Sequence, residues 1–300
     1  MGEAGVAARD HRCGFAAIVG RPSVGKSTLV NALVGARVSI TSRKPQTTRH
    51  RILGIVTEPG VQIVLVDTPG FQTRHRSVLN ERLNRTVRES LADVDAVVWV
   101  VDAQRITAAD DAVSALLPVE KPVVVAVNKV DLVRDKRGLL PRLAEIGARR
   151  DFAAIVPVSA ERGTQLAALK AEIARCLPLS PPLYPGDEIT DRDERFLAAE
   201  LVREKIFRLL GDEVPYATTV SVDRFEQDGA LRRIHATVLV DKASQRMILL
   251  GEAGSRMKAI ATAARRDMEA LFGGKVFLEV YVRVKRGWAD SDASLSRLGY

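Results

Sequence analysis

The sequence predicts two consecutive domains. The first is an α/β domain with a mixed, mostly parallel six-stranded sheet and helices on both faces; the second is a smaller α+β domain. Up to residue 177, short Val/Ile-rich runs alternate with longer helical patterns, as in a parallel sheet buried on both sides. Four prolines then fall within the nine residues Leu177–Pro185 and interrupt every pattern. Beyond them the order becomes helix, strand, strand, helix, helix, strand. Three hundred residues can build two cores.

The first-domain strands are expected at 14–19, 51–56, 62–66, 96–101, 123–127 and 155–158, with helices at 26–35, 77–91, 109–117, 138–147 and 164–176. The turn Glu58-Pro59-Gly60 makes strands two and three a hairpin, so one sheet edge should be antiparallel. An amphipathic helix over 193–210 opens the second domain, followed by strands 217–226 and 231–240 around Gln227-Asp228-Gly229. Helices 244–250 and 255–272 flank Gly251–Gly254, and a last strand, 275–285, turns Val276, Leu278, Val280, Val282 and Val284 inward. The expected division is a flexible tail 1–12, a first domain 13–177, a stiff linker 178–190, a second domain 191–287 and a tail 288–300.

Composition narrows the function classes. Cys13 and Cys176 lie far apart without a Cys-x-x-Cys spacing, and His11, His50, His75 and His235 are scattered, so neither a disulfide framework nor a metal cluster of these residues is expected. No apolar leader opens the chain and the longest apolar runs are too short to span a bilayer, so a cytoplasmic product is expected. The net charge of +8 is unevenly spread. Residues 185–228 carry 6 basic and 12 acidic side chains, whereas 242–286 carry 10 basic and 4 acidic. A positive strip near the C-terminus suits an acidic partner, nucleic acid first and anionic membrane second.

Gly20-Arg-Pro-Ser23-Val24-Gly25-Lys26-Ser27-Thr28 follows the first strand and opens the first helix, the context of a phosphate-binding loop. Its backbone N–H groups converge on phosphates, Lys26 reaches the β- and γ-phosphates, the Ser27 hydroxyl coordinates magnesium, and Thr28 adds a bond to the α-phosphate. Asp67, at the end of the third strand, would hold the magnesium shell, and the Gly70 N–H would sense the γ-phosphate. In the polar loop 42–50, Thr48 is preferred over Thr47 as the second magnesium hydroxyl. Lys26, Thr48 and Gly70 are therefore the expected catalytic contacts; Ser27, Thr48 and Asp67 are the expected metal contacts.

Asn128-Lys129-Val-Asp131 names the base. A carboxylate accepts from guanine N1 and its 2-amino group, which adenine cannot match, and a buried carboxylate at 131 would discriminate strongly. The Lys129 stem would pack over the base, with Ser159-Ala160 offering backbone N–H groups to guanine O6. Phe71 stands where many such enzymes carry a water-orienting glutamine, so slow intrinsic hydrolysis is expected. Arg43 and Arg49 lie in the 42–50 loop, but neither is assigned a catalytic role. Gly251-Glu252-Ala253-Gly254 between two helices suggests a KH module that admits a nucleic-acid backbone, with Arg256, Lys258, Arg265 and Arg266 following it.

On these residues, together with Pro45-Gln-Thr-Thr-Arg49, Asp191–Lys205, Val276–Val280, Lys285 and Trp288, residues 12–290 resemble the Era family of bacterial ribosome-assembly GTPases. The resemblance implies a P-loop GTPase domain followed by a type II KH domain that uses GTP/GDP and Mg2+. It also implies binding to the 3′ end of 16S ribosomal RNA during 30S maturation; a monomer is expected, with triphosphate ordering loops 42–50 and 68–80. Ser23 stands where the family usually carries an asparagine able to hold potassium, which speaks against potassium activation. Glu252 replaces a commonly basic loop position and should weaken backbone affinity. The alternative reading is a signalling GTPase held peripherally at the inner face of the cell membrane.

Overall fold

The computed structural model describes residues 10–42, 44, 47–72, 77–211 and 214–298. They form two compact units. The tail 1–9, Arg43, Pro45, Gln46 and the 73–76 part of the second expected loop, with His75, lie outside the described residues.

The first unit takes in 10–39, 48–72 and 80–191 of the described chain. Its elements are β1 (Arg12–Val19), α1 (Lys26–Val34), β2 (Ile52–Glu58), β3 (Val61–Asp67), α2 (Val78–Ala92, from Asn80 in this unit), β4 (Ala96–Asp102), α3 (Ala108–Ser114), β5 (Val123–Asn128), α4 (Leu139–Gly147), β6 (Ala154–Pro157) and α5 (Leu166–Arg175). The sheet order is β2-β3-β1-β4-β5-β6, and β2–β3 is the antiparallel pair. Strand alternation feeds two cores. Ala16, Ile18, Val98 and Val100 join Leu29, Val30, Leu169 and Ile173 of α1 and α5. Ala17, Val19, Trp99 and Val101 face Val87, Val113 and Ile146 of α2, α3 and α4.

The register carries the site. Ile18 pairs Asp67 and Asp102 pairs Asn128, so the carboxyl ends of β1, β3, β4 and β5 open onto one edge. Ligands bind at such an edge of a parallel sheet.

The stretch 178–190, expected as a linker, is packed into the first unit. Cys13 N donates to Pro178 O, Ser180 N to His11 O, and Ile55 N to Ile189 O. Fully buried Gln62 accepts at Oε1 from Leu183 N (2.8 Å) and Tyr184 N (2.9 Å), and its Nε2 donates to Tyr184 O (2.8 Å) and Thr57 Oγ1 (3.0 Å). Backbone groups that a solvated linker would give to water are paired here.

The second unit comprises α6 (Glu194–Leu209), β7 (Thr218–Asp228), β8 (Leu231–Val240), α7 (Ala243–Leu250), α8 (Ser255–Phe272), β9 (Lys275–Val284) and α9 (Asp292–Arg297). It also takes in 40–42, 44, 47 and 77–79 of the described residues. β8 pairs antiparallel with β7 and parallel with β9, giving the order β7-β8-β9. Leu201, Val202 and Ile206 of α6, Ile234, Ala236 and Val238 of β8, and Ile260, Ala264 and Met268 of α8 build its core. Thr41 N and Oγ1 donate to buried Glu204 Oε1 at 3.0 and 3.2 Å. The expected tail 288–300 is also corrected: Trp288 is 0% exposed, its Nε1 donates to Ala217 O at 3.0 Å, and α9 buries Leu295.

Candidate functional site

All the residues expected to contact nucleotide fall in the first unit: Gly20, Ser23 through Thr28, Thr48, Asp67, Gly70, Asn128, Lys129, Asp131, Ser159 and Ala160. The loop after β1 winds back over the start of α1. Lys26 Nζ donates to Gly20 O (3.1 Å) and Arg21 O (3.2 Å), which curls the loop around its ammonium. Burial lowers the Lys26 pKa to about 8; Asp67 opposes the shift, and the Arg21 guanidinium adds to it. Gly25 has φ 97°, and a Cβ there would overlap Asn128 Nδ2. A Cβ on Gly70 would come within 2.9 Å of Pro22 Cα, so the turn after β3 must lack a side chain to lie beside the loop. Thr28 is half-buried at the third position of α1, in its first turn.

Asp67 is the electrostatic centre. Its Oδ2 accepts from Ser39 Oγ (2.7 Å), Ser27 Oγ (2.8 Å) and, more distantly, Thr48 Oγ1 (3.5 Å), and the Ser27 and Thr48 hydroxyls lie 2.6 Å apart. Burial raises its pKa, against the hydroxyl hydrogen bonds and Lys26, which lower it. Oδ1 is buried with no hydrogen-bond partner among the described residues. A buried carboxylate with two hydroxyls on Oδ2 and an unpartnered Oδ1 is a donor set for a hard divalent cation, so Ser27, Thr48 and Asp67 fit magnesium. Thr47 is buried but absent from this cluster.

The base side is assembled from two turns. Asn128 Nδ2 donates to Val24 O (2.9 Å), while its Oδ1 accepts from Ala160 N (3.0 Å), so one amide joins the phosphate loop, β5 and the 159–160 turn. Lys129 takes a left-handed φ of 68° and its Nζ donates to Ser23 O and Asp102 Oδ2, both at 2.8 Å. Ser159 Oγ donates to Asp131 Oδ1 at 2.6 Å, aiming the carboxylate. Asp131 itself is exposed, a correction to the expected buried charge: the short turn 130–132 makes it one wall of an open site.

Sequence reasoning missed the ties that hold these pieces together. Arg21 Nε donates to buried Asp110 Oδ2 (2.9 Å), and Asp102 lies between Arg21 and Lys129. The signal for Asp102 is present, since an acidic residue closes β4 just as Asp67 closes β3. Ser39 stands in no motif. Phe71 is half-buried against the core with the Arg88 guanidinium 5.8 Å from its ring centre, and Arg49 is buried.

In the second unit, Gly251 (φ 71°), Ala253 (φ 47°) and Gly254 (φ 76°) form a tight turn between α7 and α8. Glu252, Ala253, Arg256 and Lys258 are exposed around it. Arg256 Nη1 donates to Ile248 O at 2.6 Å, leaving the side chain folded toward the end of α7. Arg265 is half-buried and bound to Glu269 at 2.6 Å, so its guanidinium serves the helix, while Arg266 is exposed.

Comparison with known proteins converges with this geometry. A family described as 50S ribosome-binding GTPase matches residues 15–129, and the KH domain family matches 213–289. GTPase Era of Chromobacterium violaceum is 56% identical over 287 residues, covering 96% of this chain and 97% of that one. GTPase Era of Neisseria meningitidis serogroup A is 54% identical over 295 residues, covering 98% and 96%. A variant of Aquifex aeolicus Era solved with GDP·AlF4− superposes with TM-score 0.93 at 36% identity, covering 96% and 99%. Era solved with MgGDPNP and nucleotides 1506–1542 of 16S ribosomal RNA superposes with TM-score 0.93 at 35% identity, covering 97% and 99%. A P-loop GTPase unit with a six-stranded, mostly parallel sheet, followed by a type II KH unit and matched over nearly its whole length, places the chain in the Era family of GTPases.

Proposed function

We propose that this protein is a GTP-hydrolysing switch that binds 16S ribosomal RNA near its 3′ end and assists maturation of the small ribosomal subunit. The observation that carries the reading is the joint assembly, in one unit, of the lysine-centred loop, the Asp67–Ser27–Thr48 cluster and the Asn128–Asp131–Ser159 wall. The Era relative solved with MgGDPNP and a 16S RNA segment supports the choice of both ligands.

Backbone N–H groups of 24–28 and the Lys26 ammonium would hold the phosphates, and the Gly70 N–H would meet the γ-phosphate. Magnesium, when bound, neutralises charge developing on the phosphates. Ser27, Thr48 and Asp67 would hold it. Asp131, aimed by Ser159, would accept from guanine N1 and the 2-amino group; Ala160 N, which donates to Asn128 Oδ1 in this structure, would share its hydrogen with O6, and the Lys129 stem would pack over the base. Phe71 brings no polar group to an attacking water, which supports slow intrinsic turnover. Gly251 to Gly254, with Arg256 and Lys258, would admit the RNA backbone. Ser23 gives no reason to expect potassium dependence. The protein is proposed to act as a monomer in the cytoplasm. Among the described residues no helix is long and apolar enough to cross a membrane, and no further observation favours the peripheral-membrane reading.

Asp131→Asn tests the nucleotide reading. The amide should turn preference from GTP toward XTP by at least about a hundredfold, read by competition against labelled GDP. Retained GTP selectivity would remove the base-recognition assignment.

A further inference from the structure

Ser39 lies between α1 and β2, outside every motif, yet its hydroxyl makes the shortest hydrogen bond to the Asp67 carboxylate, 2.7 Å to Oδ2. It is buried. Its backbone is clamped by one side chain. Asn31 Oδ1 accepts from Val38 N (3.0 Å) and Ser39 N (2.9 Å), and Asn31 Nδ2 donates to Ser39 O (2.7 Å). Asn31 stands on α1, the helix that opens with Lys26 and Ser27. Ser39, in the loop, is therefore tied through Asn31 to the helix that carries Ser27, and both hydroxyls meet Oδ2.

The other two hydroxyls on Asp67, from Ser27 and Thr48, are those that would turn their oxygens to a cation. Ser39 is a donor left over, and Oδ1 is the oxygen left without a partner. We propose that Ser39 is a positioning residue of the magnesium site, pinning Asp67 through Oδ2 so that Oδ1 faces the cation's hydration shell, with Asn31 holding Ser39 in place. A hydroxyl bonded to a carboxylate is a strong, charge-assisted donor, and burial enlarges its effect. Without it the carboxylate can rotate about its Cβ–Cγ bond, and each cation bound must first restore its aim. The inference rests on the magnesium-nucleotide reading above.

The test measures release of fluorescent GDP from the full chain against free Mg2+, in wild type, Ser39→Ala and Asn31→Ala. Ser39→Ala should raise the Mg2+ concentration that half-slows release by about tenfold, while release in EDTA stays within about twofold of wild type. Asn31→Ala should move the midpoint in the same direction by about threefold, and it keeps the proposal testable should Ser39→Ala fold poorly. A wild-type midpoint in Ser39→Ala overturns the proposal, as does a release rate in EDTA that rises as far as the midpoint does. An unmoved midpoint in Asn31→Ala overturns the clamp. If wild type itself releases GDP equally fast with and without Mg2+, the failure belongs to the magnesium-nucleotide reading.

Discussion

The Lys26 ammonium, curled under the carbonyls of Gly20 and Arg21, has a pKa of about 8 because burial outweighs the attraction of Asp67. Nucleotide phosphates would stabilise the ammonium and raise that value. Below about pH 8 the lysine is protonated with or without nucleotide, so affinity should be level. Above it binding takes up a proton, and GDP affinity should fall by up to about tenfold per pH unit. Titration calorimetry in two buffers of different ionisation heat, at a pH above 8, should report that uptake. Lys26→Arg, which stays charged, should bind more weakly but with a flat profile; an unchanged slope would assign the proton elsewhere. At this scale the residues of the proposed nucleotide site were legible as motifs, since each stands in a contiguous run of the chain. The exposure of Asp131 and the roles of Ser39, Asn31, Arg21 and Asp102 were not. They depend on which strand ends lie side by side, and chain spacing does not carry that.

Helix α6 shows what is legible at the scale of an element. Its Asp193 cap stands in the chain, and Asp193 Oδ1 accepts from Phe196 N at 2.8 Å, but the expected one-sided pattern is not kept, because Glu200, Arg203, Glu204 and Lys205 are buried along with Leu201, Val202 and Ile206. Asp193→Ala should cost about 1 kcal/mol, read as a lower urea midpoint for the second unit with no loss of GDP binding. Glu194 then grips Arg232 through two bonds of 2.6 and 2.8 Å, tying the helix start to β8. The turn between α7 and α8 is the element proposed to meet RNA. Gly254→Asp places a charged side chain at φ 76°, and Arg256→Glu reverses a charge beside it. Each should weaken binding of a 16S 3′-end fragment by about tenfold or more in a gel shift and leave GDP affinity unchanged. Equal RNA binding would remove the KH turn from the interface, and vesicle co-sedimentation of the same variants would expose a lipid role. α9 escaped the sequence reading because six residues are too short for a periodic pattern.

Across the whole molecule, the proline-rich stretch shows how tertiary contacts change a local reading. Prolines announce a break, and they cannot say whether the broken segment floats or is fastened. Gln62, from the middle of β3, fastens it. Gln62→Leu would leave the N–H groups of Leu183 and Tyr184 without their acceptor, destabilising the first unit by about 3 kcal/mol and opening 181–186 to protease. A urea midpoint unchanged from wild type would show that water replaces the amide. The Trp288 tail repeats the lesson: its ring is buried, and its N–H finds an acceptor in Ala217 O, far away in sequence. The chain alone determined the α/β and α+β order, the antiparallel sheet edge, the phosphate loop and the base motif, because periodicity and turn chemistry are local. Only the tertiary structure decided which oxygen of Asp67 is left unpartnered, which loop serine bonds to the other one, and where the first unit ends, because those follow from strand register and from backbone groups that must be paired once buried.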